Sequence, residues 1–241
     1  MLPPALAHLG DKSRFVAWKY VWKAKAGGGG KWDKLPIDPH TGKAARVNDA
    51  KTWGTFAEAL ACMKRHRLAG VGIVLFRGMA GGISGGDLDD CITDSGSLTP
   101  LAAEVLDYAE TYAEISPSGA GIRLFFTDTV DRTLKDDGIG VEVYSHGRFL
   151  TITGQHWAET PTEIRSAPRS IAKLTAVVEA ALAAREEEER AKRAKCNGSN
   201  SEAHKFNGEA KEQQPAAGAG DFFRNDGQNA RQQQSQLGSA P

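Results

Sequence analysis

The stretch that most constrains this chain is residues 85–91, which read GGDLDDC and place three carboxylates within four positions. Because an apolar, glycine-spaced segment precedes these acids, we predict that a strand carries them. Side chains alternate between the faces of a strand, so Asp87 and Asp89 would point the same way and Leu88 into the core. Two carboxylates on one face repel each other unless a cation lies between them, and a divalent metal ion is the usual one. The alternative is a strand that runs into an Asp-rich turn with solvated acids.

Apolar strands surround this acidic stretch in the sequence. Residues 71–76 read VGIVLF and predict a buried strand, which would pair with the acidic strand in a central hairpin through a glycine-rich turn. Residues 140–144 and 148–154 predict a second hairpin, and Glu142 is a charge inside an otherwise apolar strand. Glu142 is either a solvated side chain on an edge strand or a third metal carboxylate.

Two further segments have the composition of phosphate-binding loops. Residues 116–123 read SPSGAGIR, so the hydroxyl of Ser118, the backbone at Gly119 and the guanidinium of Arg123 could hold phosphate oxygens. Residues 34–43 read KLPIDPHTGK, and the prolines and glycine predict a stiff extended loop that positions Lys34. The alternatives are a tight turn that needs glycine for backbone reasons, and a lysine that only aids solubility.

Length and charge limit the class of protein. A chain of 241 residues fits one sizeable domain, or two small lobes, with a tail. The net charge is zero, yet residues 1–67 hold 13 basic and 5 acidic side chains, whereas residues 78–122 hold 8 acidic and no basic ones. This asymmetry indicates either a basic surface for a polyanion beside an acidic metal centre or two segments that neutralise each other.

Cysteine usage and hydropathy indicate a cytoplasmic protein. The three cysteines are widely spaced and lack a CxxC pair, which favours a reducing compartment over a disulfide framework or a zinc site. The sequence contains no apolar run long enough to span a membrane. A helix with capping-box spacing is predicted over residues 55–67, a long charged helix over 168–195, and disorder over 197–241.

Taken in order, these elements resemble the archaeo-eukaryotic primase superfamily, in particular the phage- and plasmid-borne bifunctional DNA primase–polymerase domains. The similarity covers roughly residues 12–165. Features that are weak alone carry it together: an aromatic strand at 15–18, a proline-rich loop at 34–42, Asn48 and Asp49 before Trp53, the Asp87/Asp89 pair, the turn at 116–123, and Glu142 followed by the strand at 148–154.

The resemblance implies an α+β fold, with an RRM-like antiparallel catalytic sheet joined to an N-terminal α/β lobe and followed by a long helix and a disordered tail. It implies a primase–polymerase domain over residues 1–165, a helical extension over 166–196 and an unstructured tail over 197–241. In relatives such a tail leads to a helicase domain, and the Gln-rich ending here suggests a truncated or frameshifted product.

The same resemblance implies a catalytic site and its cofactors. Asp87, Asp89 and Glu142 are expected to bind two Mg²⁺ or Mn²⁺ ions and to catalyse nucleotidyl transfer from nucleoside triphosphates. The residues expected to bind the incoming nucleotide or the template are Ser118, Gly119, Arg123, Arg148 and Lys34.

The expected function is template-directed DNA synthesis for a phage, a plasmid or another mobile element. Its partners would be a single-stranded DNA template or primer–template, nucleoside triphosphates and a replicative helicase. The superfamily usually has His where this chain has Arg123, and Arg binds phosphate but cannot shuttle a proton near neutral pH. The alternatives are an inactive single-strand-binding remnant, with Phe125, Phe126 and Phe149 as base-stacking platforms, and a metal-dependent nuclease.

Overall fold

The computed structural model describes residues 1–76 and 82–206, with side chains described as far as residue 195. Residues 1–191 form one compact unit. The chain begins with a 3₁₀ turn at Pro4–Leu9 and has another at Ala50–Thr52. The remaining elements of the described residues are, in order, β1 Phe15–Ala24, β2 Gly30–Ile37, α1 Phe56–His66, β3 Gly70–Leu75, β4 Ser84–Leu88, α2 Pro100–Leu106, β5 Ala113–Ile115, β6 Ile122–Phe126, β7 Leu134–Asp136, β8 Val141–Tyr144, β9 Arg148–Ile152 and α3 Pro168–Phe206.

These strands form two antiparallel sheets. One has the strand order β2-β1-β3-β9 and is called the four-stranded sheet below. The other has the order β5-β6-β4-β8-β7 and is called the five-stranded sheet. The mixed α+β class expected from the sequence, with antiparallel sheets and a long C-terminal helix, is confirmed. Among the helices of the described residues, none combines the length and the apolar composition that a membrane span requires.

Both hairpins predicted from the sequence are wrong. β3 belongs to the four-stranded sheet and β4 to the five-stranded sheet, and β8 and β9 are divided between the sheets in the same way. The glycine-rich segment between β3 and β4, residues 77–81, lies outside the described residues. The turn after β8 is fixed to the other sheet, because the Gly147 N–H donates to the Leu75 carbonyl at 3.1 Å. Each connection therefore carries the chain from one sheet to the other.

The loop predicted around Lys34 is partly a strand. Residues as far as Ile37 belong to β2, and Lys34 pairs with Tyr20 while Pro36 pairs with Trp18. A proline is compatible with this strand because β2 lies at the edge of its sheet, where a missing N–H need not break a ladder. The strand gives Lys34 a fixed direction that an irregular loop would not.

The five-stranded sheet packs differently on its two faces. On one face, Leu88, Leu124 and Val143 form an apolar core with Leu174 of α3. On the other face, Gly85 of β4 pairs with Phe125 and Tyr144, and this row packs against Leu150 of β9. The next row along this second face is charged and has Asp87 at its centre.

The helices confirm the sequence signals at their starts. Thr55 precedes α1 and forms a capping box with Glu58 of its first turn, in which the Glu58 carboxylate accepts from the Thr55 N–H at 2.8 Å. α3 buries Leu174 and Val178 in the core of the five-stranded sheet. α3 also runs to Phe206, so residues 197–206, predicted to be disordered, are helical here. The rest of the predicted tail, from residue 207, lies outside the described residues.

Substitution of Gly85 by Ala is expected to destabilise the protein. A Cβ at this position would lie 2.2 Å from Leu150 Cδ1, so the two sheets must separate or Leu150 must leave its rotamer. Such overpacking costs about 1–3 kcal/mol, which urea unfolding would measure. Gly27→Ala is the control, because nothing lies within 4 Å of its added Cβ. An unchanged midpoint for Gly85→Ala would contradict this account of the sheet junction.

Candidate active site

A row of charged residues crosses the second face of the five-stranded sheet. In the strand register Asp87 of β4 lies opposite Arg123 of β6 on one side and Glu142 of β8 on the other. The row ends at Glu114, opposite Arg123, and at Lys135, opposite Glu142. Directly opposite residues on neighbouring strands share one face and lie about 5 Å apart. The fold thus aligns one candidate residue from each of three distant segments of the sequence.

Asp87 and Arg123 form a buried ion pair at the centre of this row. The Arg123 Nε and the Asp87 Oδ1 are 3.4 Å apart, and their side chains are 2% and 12% exposed. Neither of these two atoms makes a hydrogen bond, although Arg123 Nη1 donates to Thr151 Oγ1 of β9. Burial raises the pKa of Asp87 to about 6 despite the opposing charge of Arg123, and Asp89 and Glu142 add to the rise. Asp87 is therefore a carboxylate whose buried Oδ1 lies beside Arg123 but accepts no hydrogen bond.

Glu142 is held by Lys135. Glu142 is buried, and the Lys135 ammonium donates to its Oε1 while also lying 2.8 Å from Asp137 Oδ1. Burial opposes the charge of Lys135, but hydrogen bonds to Asp137 and Glu142 outweigh it and raise the pKa of this lysine. The alternative of a solvated edge-strand Glu142 is excluded, because β8 lies between β4 and β7.

Asp89 follows the row at the end of β4. The strand ends at Leu88, and the Asp89 N–H donates to the Gly140 carbonyl at 2.7 Å. Asp89 is exposed where Asp87 is buried, yet both line the same cleft. Asp90 has a left-handed backbone (φ 48°) and does not line that cleft.

The cleft lies over the charged row and measures about 600 Å³. Lys34 lines it from β2, together with Arg148 and Thr151 from β9. Burial and the charge of Arg123 lower the pKa of Lys34, and the carboxylates of Asp87 and Asp89 oppose this effect. The site residues predicted from the sequence that line the cleft are Lys34, Asp87, Asp89, Arg123, Glu142 and Arg148.

Ser118 and Gly119 are not among the residues that line the cleft. They lie exposed in the turn between β5 and β6, where Gly119 has a φ of 79° and donates its N–H to the Ser116 carbonyl. The N–H groups of Ala120 and Gly121 are also used inside the turn, by the hydroxyls of Ser118 and Ser116. The turn flanks the end of β4, since a Cβ on Gly121 would lie 3.5 Å from Asp89 Cα.

Lys135 and Thr151 belong to the site but were not identified from the sequence. Lys135 lies in a strand of three residues after a run of turn-forming ones, and no motif marks it. In the sequence Thr151 is only one residue of an apolar strand. Its hydrogen bond with Arg123 depends on the packing of the two sheets, which the sequence does not reveal. Arg46 and Asn48, which also line the cleft, had the weak signal of an Asn-Asp pair before Trp53.

The carboxylates of the cleft can be compared with the ligands that a divalent cation requires. In the described residues, no group of three or more His, Cys, Asp and Glu side chains lies close enough together to hold a metal ion. The chemistry of the residues nevertheless fits Mg²⁺ or Mn²⁺, which prefer carboxylate oxygens, because Asp87, Asp89 and Glu142 all line one cleft. The buried Asp87 Oδ1 without a hydrogen bond is a ready ligand atom. Binding at Glu142 would require this carboxylate to turn away from Lys135.

Comparison with known proteins gives one relative of known name. The chain is 32% identical over 149 residues to a protein named DNA Primase-polymerase from Nitratiruptor phage NrS-1. The aligned region is 59% of this chain and 20% of the phage protein, so the chain spans only about a fifth of that relative. No protein-family model matches the chain.

The resemblance found in the sequence agrees with the name of this relative. The ordered motifs resembled the phage- and plasmid-borne primase–polymerase domains, and the relative bears that name. The structure brings Asp87, Glu142 and Arg123 of those motifs into one row on one sheet. Over the aligned region the chain is thus similar to a phage protein named DNA Primase-polymerase.

Proposed function

We propose that this chain is a nucleotidyltransferase, a DNA primase–polymerase that extends a strand on a DNA template for a phage, a plasmid or a related mobile element. The alignment of Arg123, Asp87 and Glu142 across three neighbouring strands is the observation that carries the proposal. It puts carboxylates and a guanidinium in one cleft, the combination that phosphoryl transfer needs. The five-stranded sheet is then the RRM-like catalytic sheet of the family.

Asp87, Asp89 and Glu142 would hold Mg²⁺ or Mn²⁺ in this proposal. When bound, such ions supply activation of the attacking 3′-hydroxyl and neutralisation of the departing pyrophosphate. Lys135 neutralises Glu142 in the structure. Lys135 has a second partner in Asp137 at 2.8 Å, so it can release Glu142 to a cation without losing all its acidic neighbours.

The basic residues of the cleft would bind the triphosphate of the incoming nucleotide. Arg123 comes from the same sheet as the acids, and Lys34 reaches the cleft from the four-stranded sheet. A triphosphate between Arg123 and Lys34 would be contacted from both sheets. Arg148 lies at the surface with its guanidinium 5.8 Å from the centre of the Tyr144 ring, where it suits the template backbone.

Ser118 and Gly119 keep a narrower role in the proposal. Their turn flanks Asp89 at the rim, and its N–H groups are already used within the turn. The Ser118 hydroxyl is exposed and can reach a phosphate only if the nucleotide extends to that rim. Arg123 is assigned phosphate binding and not proton transfer, because guanidinium stays protonated in proteins.

The non-enzymatic alternative has less support from the sheet aromatics. Phe125 and Phe126, considered as stacking platforms for single strands, are fully buried, and Phe149 is half-buried beside the cleft. The DNA template, the nucleoside triphosphates and a replicative helicase remain the proposed partners.

A gel assay of nucleotide incorporation tests the proposal. Purified protein would be given a template with and without a primer, either ribo- or deoxynucleotides, and Mg²⁺ or Mn²⁺. We expect incorporation that requires the metal ion and that a chelator stops. Absence of incorporation under all combinations, from protein that still binds single-stranded DNA, would favour the binding remnant instead.

A further inference from the structure

The hairpin of β1 and β2 projects beyond the sheet to which it belongs. β3 pairs only with the first part of β1, from Phe15 to Trp18. From Lys19 to Ala24, β1 pairs with β2 alone, among the described residues. Residues 19–34 thus form a two-stranded ribbon, called the ribbon below. An isolated ribbon buries little apolar surface, so its side chains are free to serve another purpose.

One face of the ribbon carries a ladder of exposed aromatic rings. Tyr20, Trp22 and Trp32 are 43%, 53% and 64% exposed. Trp22 lies directly opposite Trp32, with ring centres 5.4 Å apart, and Tyr20 lies 6.5 Å from Trp32. Cross-strand aromatic pairs stabilise a ribbon, but that purpose alone leaves three half-exposed rings in water.

The ribbon is strongly basic. Residues 19–34 contain five lysines and one acid, and that acid, Asp33, is paired with Lys23. Lys34 lies on the same face as the rings, whereas alternation places Lys19, Lys23 and Lys31 on the opposite face. Because the ribbon is only two strands wide, these lysines still add positive charge beside the rings. Single-stranded nucleic acid requires this combination, since its bases stack on rings while lysines attract its phosphates. Duplex DNA, with its bases already stacked, would have no use for the rings.

The ladder is continuous with the cleft. Alternation along β1 puts Tyr20 and Trp22 on one face, and the register puts Lys34 opposite Tyr20 on that same face. Lys34 lines the cleft over the charged row. A strand that lies along the ladder is therefore led past Lys34 to the proposed catalytic residues.

We propose that Tyr20, Trp22 and Trp32 of the ribbon bind single-stranded DNA by base stacking and direct the template into the cleft. The directing role rests on the proposed polymerase function, whereas the binding itself does not. Two or three bases would be held, one on each exposed ring, and the contact would be tolerant of sequence because every base has a flat face.

Equilibrium binding of a fluorescein-labelled oligothymidylate of about 16 nucleotides tests this proposal. The measurement is made with a chelator and no nucleotide, so that it does not depend on catalysis. We expect the double variant Trp22→Ala/Trp32→Ala to bind about 10- to 100-fold more weakly than the wild type. Its salt dependence should be unchanged, because no lysine is lost.

Two further variants separate stacking from other causes. Trp22→Phe/Trp32→Phe retains flat rings and should recover most of the affinity, whereas Trp22→Leu/Trp32→Leu retains only apolar volume and should not. Tyr108→Ala removes an exposed ring outside the ribbon and should bind like the wild type. Equal affinity of the Trp→Ala variant and the wild type, or no binding by the wild type, would overturn the proposal.

Other occupants of the ladder would show in the same set of proteins. If the ladder joined two copies of the chain, light scattering would show a dimer that the Trp→Ala variant loses, and this outcome would overturn the proposal. If the wild type binds single-stranded DNA through its rings but incorporates no nucleotide, the proposal for the aromatic ladder stands and the proposed polymerase function is refuted.

Discussion

Replacement of Asp87 and Asp89 together by Asn will abolish nucleotide incorporation in a protein that still folds, although loss of the Asp87 charge breaks the buried pair with Arg123 and lowers the stability. Both residues line the cleft, and Asn keeps their size but removes the negative charges that a divalent cation needs. We expect a loss of at least about a thousandfold, since charge stabilisation at the reacting phosphate is usually the largest catalytic effect. Primer extension and circular dichroism would measure the two quantities.

The matched control for this variant is Asp90→Asn. Asp90 is adjacent in sequence and has the same chemistry, but it does not line the cleft. It should therefore extend a primer like the wild type. A thermal shift gives a second readout, because a cation that binds only the folded protein raises its melting temperature. Mn²⁺ should stabilise the wild type and Asp90→Asn but not the double variant, and extension by the double variant would refute the assignment.

Replacement of Arg123 by Ala will affect both activity and stability. The guanidinium is 2% exposed, lies beside Asp87 and donates to Thr151, so its removal leaves a buried carboxylate without its strongest positive neighbour. Breaking a buried ion pair costs about 3–5 kcal/mol. Incorporation should be lost as well, because the cleft then has no guanidinium from the catalytic sheet to contact the triphosphate.

Arg123→Lys and Arg123→His separate the two effects. Lys keeps the charge but presents a single ammonium, so we expect stability near that of the wild type and a higher KM for nucleotide. His restores the residue usual in the superfamily, yet its ring is shorter and is mainly neutral at pH 7. Urea unfolding and steady-state kinetics would measure the outcomes, and an Arg123→Ala variant of wild-type stability would refute the buried-pair account.

The candidate acids and basic residue stood out in the sequence as charges in apolar strands, and the resemblance to the primase superfamily implied their roles. Asp87, Arg123 and Glu142 each lie in a short apolar strand, and each breaks its pattern in a way that demands a partner. Pairing between those strands could not be found in the same way. The register that aligns the three residues is set by contacts distant in sequence, which no local pattern encodes.

The two wrong hairpins show where local reasoning fails. Two apolar strands joined by a few glycine-rich residues are compatible both with a hairpin and with a connection between two sheets. The choice was made by packing: Gly85 faces Leu150 of the other sheet at a distance that leaves no room for a side chain. Lys135 was missed for a related reason, since its meaning comes only from lying opposite Glu142.

The exposed aromatics of the ribbon do not stand out in the sequence, because aromatic residues are common in strands of every kind. Tyr20 and Trp22 are two residues apart, with Val21 between them, a spacing that any strand with one buried face can show. Burial cannot be inferred from such a spacing when a strand outruns its sheet. β1 continues for six residues beyond its last pairing with β3, and that overhang is a property of the assembled sheet.

The position of β9 has a consequence for how the protein folds as it is synthesised. The four-stranded sheet takes three strands from the first 75 residues and its fourth from Arg148–Ile152, which pairs with β3 from Val71 to Leu75. Until residue 152 has left the ribosome, the apolar strand β3 has one edge of unpaired backbone N–H and C=O groups. Such an edge promotes aggregation. The first half of the chain therefore cannot complete its own sheet, and the strands that carry the acids must be made before either sheet closes. Loop closure over such a span slows folding, so both walls of the cleft are expected to form together and late.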